Sequence, residues 1–228
     1  MISQIDILED LKESSDEYQH VILGTYSFDP DFFELKILPV LRSKDAETIL
    51  VLTDKNEYHN RFSDMSRAGQ EYYIDYCYAS QVFHPKFILL TWSEGIKLIL
   101  GSANLTKQAW FESGEMIGSI TYHYSEPNKQ VEKILAEFRE FLSKIIEKNI
   151  LKSQKHKLKI LDIIKKLPES KKQIDSEIKL IHNIDRPILE QVKQFINKPI
   201  KSVKISAPFF NSEGSVLDFF VKAGCKNF

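Results

Sequence analysis

The sequence predicts an α/β protein whose mixed sheet is sandwiched between helices, and three observations carry that prediction. An apolar run, an amphipathic stretch and a second apolar run follow one another over residues 20–54, the pattern of a βαβ unit. The second of those runs, TILVLTD, is apolar almost throughout, as strands are when helices cover both faces of their sheet. Two further runs, FILLTW and IKLILG, are joined by Ser93, Glu94 and Gly95, and a short polar turn with glycine between apolar segments reads as a hairpin.

Each element follows from local pattern. Residues 5–18 are periodic and amphipathic, which predicts a first helix. HVILGTYSFD is a buried strand that runs into a turn at Asp29 and Pro30. Phe32, Phe33, Ile37, Leu38 and Leu41 then recur at helical spacing, with Asp29 or Asp31 available as a cap and Pro39 expected to end or kink the helix. TILVLTD, YYIDYCYAS and the hairpin supply the remaining strands. Tyr72, Tyr73, Tyr76 and Tyr78 alternate in part and read as a sheet surface. From Pro127 the text turns long, charged and helical, with Leu135, Phe138, Leu142, Ile145 and Ile146 forming an apolar stripe. VKISAPFFNSEGSVLDFFVKAG then repeats, weakly, the strand, small residue, aromatic, polar turn and apolar helix of HVILGTYSFDPDFFELKILPVL. The expected organisation is therefore a first α/β half (1–126), a lysine-rich helical connector (127–186) and the start of a second half (187–228), which breaks off before any counterpart of residues 84–106.

Composition limits the functions. At 228 residues, 43% hydrophobic and 28% charged, the chain is globular in type and long enough for one large or two small domains. No apolar run reaches the ~18 residues of a spanning helix. MISQIDILEDLKESSDEY is acidic where a secretory signal is basic and then apolar, so the cytoplasm is the expected location, without a membrane partner. Cys77 and Cys225 stand alone and suggest buried thiols, with neither a disulfide framework nor a metal site. A net charge of -1 hides an acidic region over residues 1–80 and a basic one over 144–172. The basic stretch either lies along a polyanion, since lysine contacts to phosphate need no sequence, or is a solvated helix face.

The polar residues of HPKFILLTWSEGIKLILGSANLT are the candidates for chemistry. His84 and Lys86 are two apart, as are Ser102 and Asn104 at the far end of the partner strand, so with the motif on the two strands each pair emerges on one face and all four can meet in one patch. HPK followed by GSAN resembles the HxK and GSxN signature (the HKD-type motif) of the phospholipase D superfamily, over residues 18–125. Its aspartate is replaced here by Thr91, and the wording is closest to the tyrosyl-DNA phosphodiesterase branch and to bacterial phospholipase D-like nucleases.

The resemblance implies a hydrolase that cleaves phosphodiesters without metal or cofactor, through a phosphohistidine. It makes His84 the nucleophile, because neutral imidazole is available near pH 7. Lys86 and Asn104 would hold the phosphate oxygens, Ser102 would add a hydroxyl, and Glu115 would be a carboxylate that orients the histidine ring. The expected substrate is DNA, with RNA not separable from it. No second HxK occurs: His20, His59, His123, His156 and His182 each lack a lysine two residues on. Three explanations stand: a homodimer, a second half beyond Phe228, or a degenerate module that binds or assembles without cleaving. Trp92 and Trp110 flank the motif, as base-stacking groups or as core.

Overall fold

The computed structural model describes residues 3–4, 6–80, 82–169, 178–196, 200–203 and 215–225. They fall into two compact units, Met1–Lys179 and Leu180–Phe228. In the first, β1 (Ser3–Gln4), β2 (His20–Gly24), β3 (Thr48–Asp54), β4 (Tyr73–Cys77), β5 (Phe87–Thr91), β6 (Gly95–Gly101) and β7 (Ile117–His123) make one seven-stranded sheet in the order β1-β7-β6-β5-β2-β3-β4. Strands β2, β3 and β4 pair in parallel, and every other pairing is antiparallel.

Side-chain parity shows why helices cover both faces. Val21 and Leu23, Ile49 and Val51, and Ile88 and Leu90 alternate along their strands into one buried cluster. That cluster also holds residues of α1 (Ile7–Glu13), α2 (Pro30–Phe32), a π-helical turn (Phe33–Ile37) and α3 (Leu38–Ser43). The opposite parity, Ile22, Leu50, Leu52, Leu89 and Leu98, is equally buried. On that side Phe87 packs its ring 5.0 Å from Phe138 and 5.9 Å from Phe141, both on α6 (Lys129–Glu147). Gly24, the cross-strand partner of Phe87, makes the room: a Cβ there would fall 2.1 Å from the Phe87 ring. The described residues of the unit also form α4 (Lys55–Arg61), which runs into a 3-10 turn at Phe62–Asp64, α5 (Lys107–Phe111) and α7 (Gln154–Ile164).

Several boundaries differ from the sequence reading. The first helix spans Ile7–Glu13 rather than 5–18, capped by Asp6. It stops because Ser14 turns its hydroxyl to the Asp16 backbone, a local bond that competes with helix. Pro39 does not end the second helical segment. The chain stays helical over 30–43 by widening to a π turn just ahead of the proline, which has no N–H to give. The helices expected as a connector over 127–186 belong to the same compact unit as the sheet, because the buried stripe of α6 covers a sheet face; the unit boundary lies after Lys179. In the second unit the described helices are α8 (Ile188–Lys193) and α9 (Ser215–Lys222), and the strand expected at VKISAP (203–208) lies, beyond Val203, outside the described residues. Cys77 and Cys225 are both buried. Among the described residues no helix is long and apolar enough to cross a membrane.

Candidate active site

The site lies at one end of the sheet. The parallel strands β2, β3 and β4 end there, β1 and β6 end there, and β5 and β7 begin there. The polar residues of HPK and GSAN lie on the connections and not on the strands: His84 and Lys86 precede β5, and Ser102 and Asn104 follow Gly101, the last residue of β6. Pro85 has no N–H for a ladder, which keeps the first pair outside the pairing. Lys86 still faces Gly101 across the hairpin mouth, with the Gly101 amide donating to the Lys86 carbonyl at 3.4 Å. Gly101 must be glycine because a Cβ would sit 2.5 Å from the Met116 carbonyl oxygen.

His84 is held from two sides. The buried Asp54 caps α4 through the Asn56 amide at 2.9 Å, and its second oxygen accepts from the Phe83 amide at 2.9 Å, tying the HPK segment to the end of β3. The Tyr26 ring lies 4.6 Å from the His84 ring. Lys86 Nζ stands 2.9 Å from His84 Nδ1 and 3.4 Å from Nε2. Burial first, and then the Lys86 charge, lower the His84 pKa from its ordinary 6.5, so the imidazole is neutral at neutral pH. Burial also brings Lys86 down to about 8, with the Glu115 carboxylate pulling the other way.

The second half of the motif is built from loops. Asn104 Oδ1 accepts from the Ser27 amide at 3.2 Å; that bond assigns the carbonyl oxygen and leaves both Nδ2 protons as donors. The loop after β2 is zipped to it, since the Leu105 amide donates to Thr25 Oγ1 at 2.9 Å and the Asp29 amide to the Leu105 carbonyl at 3.0 Å. Ser102 donates its hydroxyl to Glu115 and accepts from the Met116 amide at 2.9 Å.

His84 and Lys86 are thus in contact, and Ser102, Asn104 and Glu115 lie around the same sheet end. Glu115 reaches Ser102 and the field of Lys86. Among the described residues it has no bond to His84, so the carboxylate expected behind the ring is not supplied there. Asp54, Tyr26 and Thr25 were not singled out by the sequence reading. The signal for them was present, since each lies at or just past the carboxyl end of an apolar parallel strand, where such sheets place their sites. Trp92 is core and Trp110 packs edge-on against Phe32 at 5.5 Å. Among the described residues no three His, Cys, Asp or Glu side chains are grouped to hold a metal ion.

No protein-family model and no curated protein matches the sequence. Solved structures do. The chain superimposes on a mutant of yeast tyrosyl-DNA phosphodiesterase with a TM-score of 0.54 at 13% identity, over 99% of this chain and 61% of the other. It is also similar to NucT from Helicobacter pylori (TM-score 0.42, 14% identity, 73% of this chain and 94% of that one). A third match is Nuc from Salmonella typhimurium, a phospholipase D family member (0.44, 16%, 64% and 86%). At these identities the likeness is one of fold: the chain has the phospholipase D-type fold and spans 61% of the length of the yeast enzyme.

Proposed function

We propose that the chain supplies one half of a metal-independent phosphodiesterase site that cleaves DNA through a phosphohistidine on His84. The observation that carries this reading is the Lys86 ammonium 2.9 Å from a ring nitrogen of a neutral His84. The nitrogen that accepts from Lys86 is the one with a free lone pair. A phosphate oxygen that takes over the Lys86 contact brings its phosphorus to that lone pair. Attack forms the N–P bond and breaks the P–O bond to the leaving group, while Lys86 and the Asn104 amide carry the oxygen charge. The leaving oxygen takes its proton from a second HxK histidine, supplied by a second copy of the chain or by a further half, and water then hydrolyses the N–P bond. DNA as the substrate is supported by the name of the yeast enzyme and by the lysines of residues 144–172.

A second reading, a module that binds without cleaving, is favoured by the single HxK of this sequence. Incubation with end-labelled single- and double-stranded DNA in excess chelator separates the two, with RNA run in parallel. The proposal expects cleavage that disappears in His84→Ala. Equal cleavage by His84→Ala rejects it, and absence of cleavage even when a second HxK half is added favours the binding module.

A further inference from the structure

A strip of lysine and tyrosine side chains leads away from the site along the sheet edge. β4 is an edge strand. Just past its end, the exposed Tyr78 ring carries Lys55 Nζ at 4.9 Å and Lys152 Nζ at 5.7 Å. At its start, the Tyr73 ring carries Lys155 Nζ at 4.5 Å and Lys159 Nζ at 4.7 Å. Lys55 directly follows Asp54, whose carboxylate anchors Phe83 beside His84, so one end of the strip abuts the site. At the rise of a strand the two tyrosines are about 16 Å apart.

The lysines are not what holds α7 in place. Ile160, Ile163 and Ile164 are buried, and His156 Nδ1 pairs with Asp75 Oδ2 at 2.9 Å. The Tyr78 amide also donates to the Ile150 carbonyl at 2.8 Å, fixing the segment that enters the helix. Elsewhere lysines have acidic partners, as Lys97 has Asp10 and Lys165 has Asp162. Among the described residues Lys55, Lys152, Lys155 and Lys159 form no ion pair with a carboxylate. Like charges gathered on two aromatic rings repel one another, and nothing in the packing requires them.

We propose that this strip is a track for single-stranded DNA leading to His84, an inference that rests on the reading of the site as a DNA phosphodiesterase. Phosphates draw the flexible lysines off the rings, and unpaired bases stack on the tyrosine faces they leave. A duplex hides its base faces and gains only the charge. The tyrosines that read as sheet surface and the lysines that read as a solvated helix face become one binding surface.

The test is fluorescence anisotropy of a labelled oligodeoxynucleotide on the full chain carrying His84→Ala, in chelator, across a salt series. Single strands should bind more tightly than duplex. Lys152→Gln/Lys155→Gln/Lys159→Gln should lower the slope of log K against log salt by about 2, at ~0.7 per lysine for single strands. The exposed control set Lys12→Gln/Lys36→Gln/Lys129→Gln should leave the slope unchanged. Tyr78→Ala should weaken binding about fivefold or more, with circular dichroism confirming the fold of each variant. Equal effects of the two lysine sets, or duplex binding as tight as single-strand binding with Tyr78→Ala harmless, overturn the track. Cleavage is scored separately with His84 intact. A chain that never cleaves but shows track-dependent binding rejects the site reading and keeps the track, whereas His84-dependent cleavage with unaltered binding in the track variants rejects the track alone.

Discussion

His84 and His156 lie beside the same sheet with opposite neighbours. At the edge, His156 shares a bond of 2.9 Å with the carboxylate of Asp75, and both side chains are nearly buried. At the sheet end, His84 faces the ammonium of Lys86 at the same 2.9 Å, with no carboxylate bonded to its ring among the described residues. The first pair is complementary and closes on itself. In the second, a cation stands against a group that gains nothing by being protonated, so both halves keep their capacity for an anion. A pair whose hydrogen-bonding groups satisfy each other is a fastening, and a pair that leaves a cation and a lone pair open to an anion is a site.

The widest separation between the two comes from deleting each histidine. His84→Ala should reduce metal-free cleavage by on the order of 10⁴-fold, as loss of a covalent nucleophile does. His156→Ala should leave the rate within about twofold while lowering unfolding free energy by about 2 kcal/mol, because it strands the Asp75 carboxylate. Initial rates and urea unfolding measure the two, and a reversed outcome would erase the distinction. Lys86→Gln should cost about 10²-fold in kcat/KM, the scale of one lost contact to developing charge. A pH profile sharpens the same point. His84 has to lose its proton and its pKa is lowered, so the acid limb should lie below 6.5. Lys86 has to keep its proton, so the rate should fall as pH passes about 8. Lys86→Arg should move that basic limb upward. The last effect is structural and leaves the chemistry alone: Gly101→Ala brings a Cβ within 2.5 Å of the Met116 carbonyl oxygen, and should cost ~1–3 kcal/mol by the same unfolding assay.

What the sequence made legible was local. Strand, helix and hairpin patterns over 20–54 and 87–101 place the sheet, because burial on both faces leaves an unbroken apolar run. His84, Lys86, Ser102 and Asn104 were found by spacing, and the structure brings them to one end of the sheet. Their placement on strands was not right, since Pro85 and the close approach of β7 to Gly101 put them on the flanking connections. Asp54 and Tyr26 stand at strand ends that the sequence marks, but their link to the histidine, through Phe83 and a ring contact, joins segments far apart in sequence and is visible only in the fold. Lys155 over Tyr73 was hidden likewise, since a lysine on a helix and a tyrosine on an edge strand acquire meaning only when packed together.

The most direct test is to trap the covalent intermediate. DNA labelled on the phosphate side of the cut is mixed with the chain in excess chelator and quenched in alkali, where a phosphohistidine survives, and the linked peptide is mapped by mass. Label on the peptide that carries His84, absent in His84→Ala, is the predicted result. Cleavage without any protein-linked label, or label on another residue, would contradict it.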